Sequence, residues 1–580
     1  MMSVDSRSPG RLAWICAILL VLVSAGTSFR ALPQAKPSDV PSRSVGPFVR
    51  SVDVSVTNID VIVTDSKGNH ASGLKKEDFQ VVEDGLEQVV TNFYAVEEGV
   101  VKILGDEEIP PPPTPVPGAV VAPAVAAPKT RIVIFVDNLN LQPFNRNRIL
   151  RNVEAFCREQ IKGDVEAMIV TWNRSLKIRR KFTNDGRDLA DVLKQIEEES
   201  ALRTTALSER RDVIQYIDGS SSADQAVSRV RQYANSLKND LDFTVEALKT
   251  SINQLSGVEG RKILLHVSEG LPQSPAAELW NYIQDKYRGT IVSSNMFEFD
   301  KTSGFLGVIQ AANAAGVTIY PVDASGLEVD SRVTAESRST QQQLDTFTDR
   351  NNLQSMLHLM AEETGGKAIL NRNDITIPLE QIRKDYTSYY SLGYRSTRSG
   401  ADRPHKVDVK VRKKGLVARA RRSYMEKSPE TKVTEAVISA LYFPRDDNPL
   451  AAGLEIGKAT PTDDFNFKVP IEIRVPYSRL AMLPEGAKVR GRVVFYFIVV
   501  DSLEKKSDLT TQTQIIDVDA KAFPQLAKKD FIYTVTLIMI PGNQRLSLAI
   551  RDEITNTTSY LQKSVFVSAF SGQDTPPPKK

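Results

Sequence analysis

At 580 residues the chain is too long for one hydrophobic core and must fold as several domains. Hydrophobic residues at 41% and charged residues at 25% exclude wholesale disorder and a multi-span membrane protein. With 74 basic against 71 acidic side chains, the net charge of +3 offers no global field for nucleic acid, so an anionic partner would have to be met locally.

In chain order, residues 1–25 read as a signal peptide: Arg7 and Arg11 precede an apolar run from Leu12 to Val23, and Val23-Ser24-Ala25 suits cleavage before Gly26. The run is short for a spanning helix, which disfavours a retained anchor and predicts an exported protein, periplasmic or extracellular. Cys157 is then the only cysteine left, so no internal disulfide forms and the domains rely on their cores. Residues 26–48 form a Pro- and Ser-rich leader. Over 49–99 a β-module is predicted. Val52, Val54 and Val56 alternate with polar residues, as do Ile59, Val61 and Val63, and Glu83-Asp84-Gly85 marks a hairpin turn. Residues 100–129 are a Pro/Ala-rich linker.

From 130 to 380 the pattern is α/β. Arg131–Val136 is an unbroken apolar run ending at Asp137, as expected of a strand covered on both faces. A helix over 146–160, strands at 165–171, 262–267 and 316–322, an antiparallel edge strand at 176–182 and helices over 186–200, 224–255 and 353–363 follow, with a short strand at 367–370. The fold class is therefore α/β plus all-β, with a doubly wound, mainly parallel sheet flanked by β-sandwich modules. Over 381–426, Val407, Val409 and Val411 alternate with Asp408, Lys410 and Arg412, and these strands are expected to pair with 49–99 as a composite sandwich around an inserted α/β domain. After a helix near 428–441, residues 427–570 carry enough short strands for an immunoglobulin- or fibronectin-like sandwich, and 571–580 is a tail.

Ligands of open α/β sheets collect beyond the carboxyl ends of the central strands. That singles out Asp137, Asn138, Asn140 and Gln142 after the first strand of the domain and Glu269 after the strand at 262–267, with Asn145 nearby. The order of elements over about 130–375 resembles the von Willebrand factor type A, or integrin I-like, domain. The Glu83-Asp-Gly85 turn, Thr364-Gly-Gly366, Tyr389-Tyr-Ser-Leu-Gly-Tyr394 and the basic strands after His405 resemble the von Willebrand-related exported proteins abundant in acidobacteria. The resemblance implies a metal-ion-dependent adhesion site, in which Asp-x-Ser-x-Ser, a middle-loop Thr and an Asp after the fourth strand give Mg²⁺ its oxygen shell. Asp137, Thr205 (or Thr204) and Glu269 fall at those places. The two serine positions are Leu139 and Leu141, which cannot ligate, so the site is degenerate and a metal-free protein contact is preferred.

Four histidines in separate contexts supply little for acid–base work, and no His-Glu-x-x-His, Gly-x-Ser-x-Gly or phosphate-loop motif is present. No catalytic residue and no small-molecule substrate is predicted. His266 is expected to be a satisfied interior residue. The basic stretch Lys406–Arg422 reads as a solvated strand face, or as a contact to an anionic envelope surface. These features make the chain an exported binding or adhesion protein. The other readings are an envelope scaffold or a secreted carboxylate-dependent hydrolase.

Overall fold

The computed structural model describes residues 56–102, 128–199, 203–288, 290, 292–327, 340–396, 402–462 and 466–568. The segments expected to be a signal peptide, leader and tail, and most of the expected linker, lie outside them.

The described residues open with β1 (Val56–Asp65), β2 (Phe79–Glu83), β3 (Leu86–Gln88), β4 (Val90–Glu97) and β5 (Val100–Lys102). The β2–β3 turn holds Asp84 and Gly85 at φ of 47° and 82°, the left-handed values that a two-residue hairpin needs. The α/β layer follows with β6 (Thr130–Asp137), α1 (Pro143–Gln160), β7 (Val165–Trp172), β8 (Leu176–Thr183), α2 (Gly186–Glu197), α3 (Arg203–Gly219) and α4 (Ala223–Gln254). It continues with β9 (Arg261–Ser268), α5 (Ala277–Lys286), α6 (Ser293–Glu298), α7 (Thr302–Ala315), β10 (Val317–Asp323), α8 (Thr340–Thr364) and α9 (Thr376–Thr387).

The sheet order is β10-β9-β6-β7-β8, parallel throughout except for β8 at the edge. Alternate residues of β6 face opposite cores. Ile132, Ile134 and Val136 pack with α1, α2 and α9, whereas Val133 and Phe135 pack with α4, α7 and α8. Burial on both sides is why the strand is an unbroken apolar run rather than an alternating one. The short strand expected at 367–370 is corrected to a single parallel bridge between Ile369 and Val322, and α9 carries the helical pattern past residue 380.

The chain then returns as β11 (Tyr389–Arg395), β12 (Arg403–Val411), β13 (Leu416–Arg419) and β14 (Ser423–Glu426). These interleave with the N-terminal strands in two sheets, β13-β1-β11-β4-β5 and β14-β12-β2-β3. Ile59, Val61, Phe79, Val81, Leu392, Tyr394, Val407 and Val409 fill the space between them. The α/β layer is therefore an insertion within a sandwich built from both sides of the sequence.

Helix α10 (Pro429–Ala440), capped by the Ser428 hydroxyl, leads to the last module. That module comprises β15 (Gly453–Ile456), β16 (Thr460–Pro461), β17 (Phe467–Pro476), β18 (Leu483–Glu485), β19 (Lys488–Asp501), β20 (Thr510–Asp519), α11 (Phe523–Leu526), β21 (Asp530–Met539), β22 (Gly542–Asp552) and β23 (Thr558–Val567). Two antiparallel sheets enclose Val469, Ile471, Ile473, Phe495, Phe497, Leu546 and Leu548, and α10 covers the outer face of β19 and β22. Gly257, after α4, lies so close to α10 that a Cβ there would sit 2.4 Å from the Ala436 Cα.

The seam between sandwich and α/β layer is polar at one point. The Asp385 carboxylate of α9, fully buried, accepts from Tyr320 Oη of β10 at 3.0 Å and from Arg419 Nη2 of β13 at 2.8 Å, and lies 3.1 Å from His70 Nε2. Burial pushes its pKa up, but the hydrogen bond with His70 and the charge of Arg419 outweigh burial and hold it below the ordinary aspartate value. Asp385→Ala leaves Arg419 without its counter-charge and should cost about 3 kcal/mol or more in urea unfolding. Because the folded pKa is depressed, this stabilisation is present above about pH 4 and is lost as pH falls through the folded value. Asp385→Asn should therefore flatten the acid limb of the stability curve.

Candidate functional site at the carboxyl rim of the sheet

The loop after β6 turns back on itself at once. The Asn140 amide N–H and Nδ2 donate to the two Asp137 carboxylate oxygens at 3.2 and 2.8 Å, an Asx-type turn that starts the approach to α1. Leu139 and Leu141 point inward to opposite cores, 6% and 0% exposed. Leu141 lies beside Val136 and Ile149, so the apolar side chains at these two positions are packing residues.

Glu269, one residue past β9, closes the other side. Its Oε1 accepts from the Gln142 backbone N–H at 2.8 Å and from Asn145 Nδ2 at 3.0 Å, and its Oε2 accepts from Gln142 Nε2 at 3.1 Å. The Glu269 N–H donates to the Asn140 carbonyl at 3.0 Å. Sequence reasoning brings Asp137, Asn140, Gln142, Asn145 and Glu269 to one place, and the structure places them in one network. Asp137, Asn138 and Glu269 are no more than 5% exposed. They build the rim from beneath, while Asn140, Gln142 and Asn145 are half-buried at its surface. Thr204 and Thr205 fall in α3, with side chains outside the described residues.

Arg146 is a component the sequence reading passed over. Fully buried, it donates from Nη2 to the carbonyls of Glu197 and Glu199 at 2.9 and 2.7 Å, and from Nη1 to Asn138 Oδ1 at 3.4 Å. The carbonyl-rich C-terminus of α2 is where a cation is most favourable. Burial lowers the guanidinium pKa despite the carboxylates of Glu199 and Glu197. Its signal was in the spacing, since Arg146 stands three, four and seven residues before the core positions Ile149, Leu150 and Val153 and so lies on their helical face.

Below the rim, His266 is fully buried but not satisfied. Neither ring nitrogen has a hydrogen-bond partner, the nearest carboxylate oxygen being Asp137 Oδ2 at 3.9 Å. The expectation of a satisfied histidine is corrected. Its ring packs against Phe135 on the next strand, and the neighbouring Ser268 Oγ and Asn138 Nδ2 are likewise without partners.

The residues do not fit the Mg²⁺ site that the resemblance implies. Every carboxylate oxygen of Asp137 and Glu269 already accepts from an N–H donor, and leucines stand at both hydroxyl positions, so the hydroxyl ligands are missing.

A cavity of about 300 Å³ lies at the opposite, amino end of β9 and β10, lined by Asp60, Arg261, Lys262 and Arg421 among others. Lys262 donates to the Val258 carbonyl at 2.7 Å, and burial, reinforced by Lys427, pulls its pKa down to about 7.

No family model matches the chain, and no curated protein matches it. Solved structures similar to it include an aerotolerance-related membrane protein from Bacteroides fragilis, at 9% identity over 44% of this chain and 98% of that one, with a TM-score of 0.21. BatB from Bacteroides thetaiotaomicron shares 8% identity over 44% of this chain and 96% of its own, with a TM-score of 0.19. Three domains of the pilus tip protein Mfa5 from Porphyromonas gingivalis share 9% over 88% and 76%, with a TM-score of 0.23. Scores of this size carry no argument about fold or function. Mixed α/β architecture with several antiparallel sheets rests on the chain's own topology.

Glu269→Ala strands the three N–H donors of Gln142 and Asn145 and should destabilise the α/β layer by about 2 kcal/mol in denaturant titration. Lys262→Met tests the cavity. The wild-type folded state binds fewer protons than the unfolded chain between pH 7 and about pH 10, so wild-type stability should rise relative to the variant across that window, read as melting temperature.

Proposed function

We propose that the chain is an exported, non-enzymatic protein-binding protein of the von Willebrand factor A-related kind, which takes a protein partner at the carboxyl rim of its α/β sheet without a bridging metal ion. The observation that carries this reading is Phe144. It is 77% exposed, one residue into α1, between Gln142 and Asn145, which are fixed by Glu269. A large aromatic held on a hydrogen-bonded turn, with the Arg148 guanidinium 5.8 Å from its ring centroid, has the make-up of an interface anchor. Exposed Leu327, whose N–H donates to Asn373 Oδ1 at 3.0 Å, adds apolar surface at the carboxyl end of β10.

The closed carboxylates favour direct contact over a metal bridge. An anionic surface at Lys406–Arg422 is a weaker candidate, because Lys410, Arg412, Lys413, Arg419 and Arg422 already face Asp408, Glu87, Asp78, Asp385 and Glu363. Among the described residues no helix is long and apolar enough to cross a membrane. Export rests on the segment before Gly26.

Capture from an envelope extract on the full chain tests the reading. The proteins retained should be unchanged by EDTA and reduced at least tenfold by Phe144→Asp. Loss on chelation would restore the metal-bridged contact, and capture indifferent to Phe144→Asp would remove the rim from consideration.

A further inference from the structure

A different cluster has the chemistry that the rim lacks. Glu83 ends β2, Asp84 opens the hairpin turn and His405 lies on β12, and one ligand atom from each falls within 4.8 Å of the others. Backbone pairing fixes this arrangement. Val407 stands opposite Glu83 and His405 opposite Tyr424, while the Asp84 N–H donates to the Lys406 carbonyl at 3.0 Å.

Glu83 is 2% exposed and His405 5% exposed. Glu83 Oε1 accepts from Tyr424 Oη at 2.5 Å and from Ser396 Oγ at 3.0 Å, but its Oε2 is buried with no partner. His405 Nδ1 lies 2.9 Å from Asp84 Oδ2 and 3.3 Å from Glu83 Oε1. Its Nε2 is buried without a hydrogen-bond partner, 3.9 Å from Glu426 Oε2. Three carboxylates thus surround one imidazole. Arg421, 5.9 Å from the Tyr424 ring, gives its Nη2 to the Asn58 carbonyl instead. A buried carboxylate oxygen with neither donor nor cation is unfavourable, and a bound cation offsets that penalty.

We propose that Glu83, Asp84 and His405 form a binding site for a first-row divalent cation, Zn²⁺ in the first instance. One imidazole nitrogen with carboxylate oxygens is a donor set for Zn²⁺ or Mn²⁺, whereas Mg²⁺ and Ca²⁺ favour oxygen alone. Binding through Nδ1 replaces the His405–Asp84 hydrogen bond, and the imidazole ligates as its Nε2–H tautomer, the proton moving from Nδ1 to the unpartnered Nε2 as the cation enters. The ion would tie the hairpin to a strand 321 residues further on, adding a cross-link to the composite sandwich.

Metal-stripped full chain titrated with ZnCl₂ in a calorimeter should bind one ion per chain saturably. Co²⁺ as a spectroscopic probe should give a visible absorption band that Zn²⁺ displaces. Asp84→Asn keeps the left-handed turn residue and His405→Asn removes the imidazole, and each should weaken Zn²⁺ binding at least tenfold and erase the Co²⁺ band. Absence of saturable binding by the wild-type protein overturns the site whatever the variants do, as does wild-type affinity in both variants.

Discussion

Asp385 is the point on which the architecture turns. It stands on the helix that hands the chain from the α/β layer back to the sandwich, and the groups around it come from a sheet of each: Tyr320 from the parallel sheet, Arg419 from the sandwich, with His70 from the loop after the first strand. A fully buried carboxylate tolerates only an arrangement that brings these groups to it, so it specifies how the two modules meet where apolar packing alone would allow sliding. The apolar contacts supply area at the seam, and the charged group supplies register. That such a group specifies more than it stabilises is consistent with the penalty of burying it.

The same economy appears at the rim. In the domain type that the sequence resembles, carboxylates at the strand ends are completed by a cation. Here Asp137 and Glu269 are completed by amides of their own chain, and Leu139 and Leu141 are core residues. A rim whose charges are satisfied internally has no call on a partner's carboxylate. What it presents outward is half-buried amide and an exposed aromatic ring. In the sandwich, by contrast, one buried carboxylate oxygen of Glu83 has no such donor.

Much of the architecture was legible because the relevant patterns are local. Ile132–Val136 reads as a doubly covered strand from its unbroken apolar run, and Asp84-Gly85 reads as a hairpin because few residue pairs accept two positive φ values. The alternation at Val407, Val409 and Val411 marks a strand with one buried face, but periodicity cannot say that the strand lies between β2 and β14. Register is a property of two segments, not one. Helix α9 escaped for a related reason: Thr376–Thr387 holds few apolar residues, and its buried face includes Asp385 and Tyr386. At the site, residue types at strand ends located Asp137 and Glu269. Their hydrogen-bond partners, the burial of Arg146 and the unsatisfied ring of His266 depend on distances between segments that no spacing rule encodes.

The insertion of the α/β layer within the sandwich bears on how the chain acquires its structure. Strand β2 finds β3 at once across the hairpin, but β1 pairs with β11 and β13, so it has its sheet partners only after the whole inserted layer has been made. At about 5–20 residues per second, a delay of roughly 300 residues leaves that apolar strand unpaired for tens of seconds. The inserted layer, whose sheet is closed by its own strands, can fold within that interval and brings the two halves of the sandwich together. During that time the unpaired segment around Ile59–Val63 is an exposed edge of the kind that seeds aggregation, which makes this stretch a natural client for a holding chaperone.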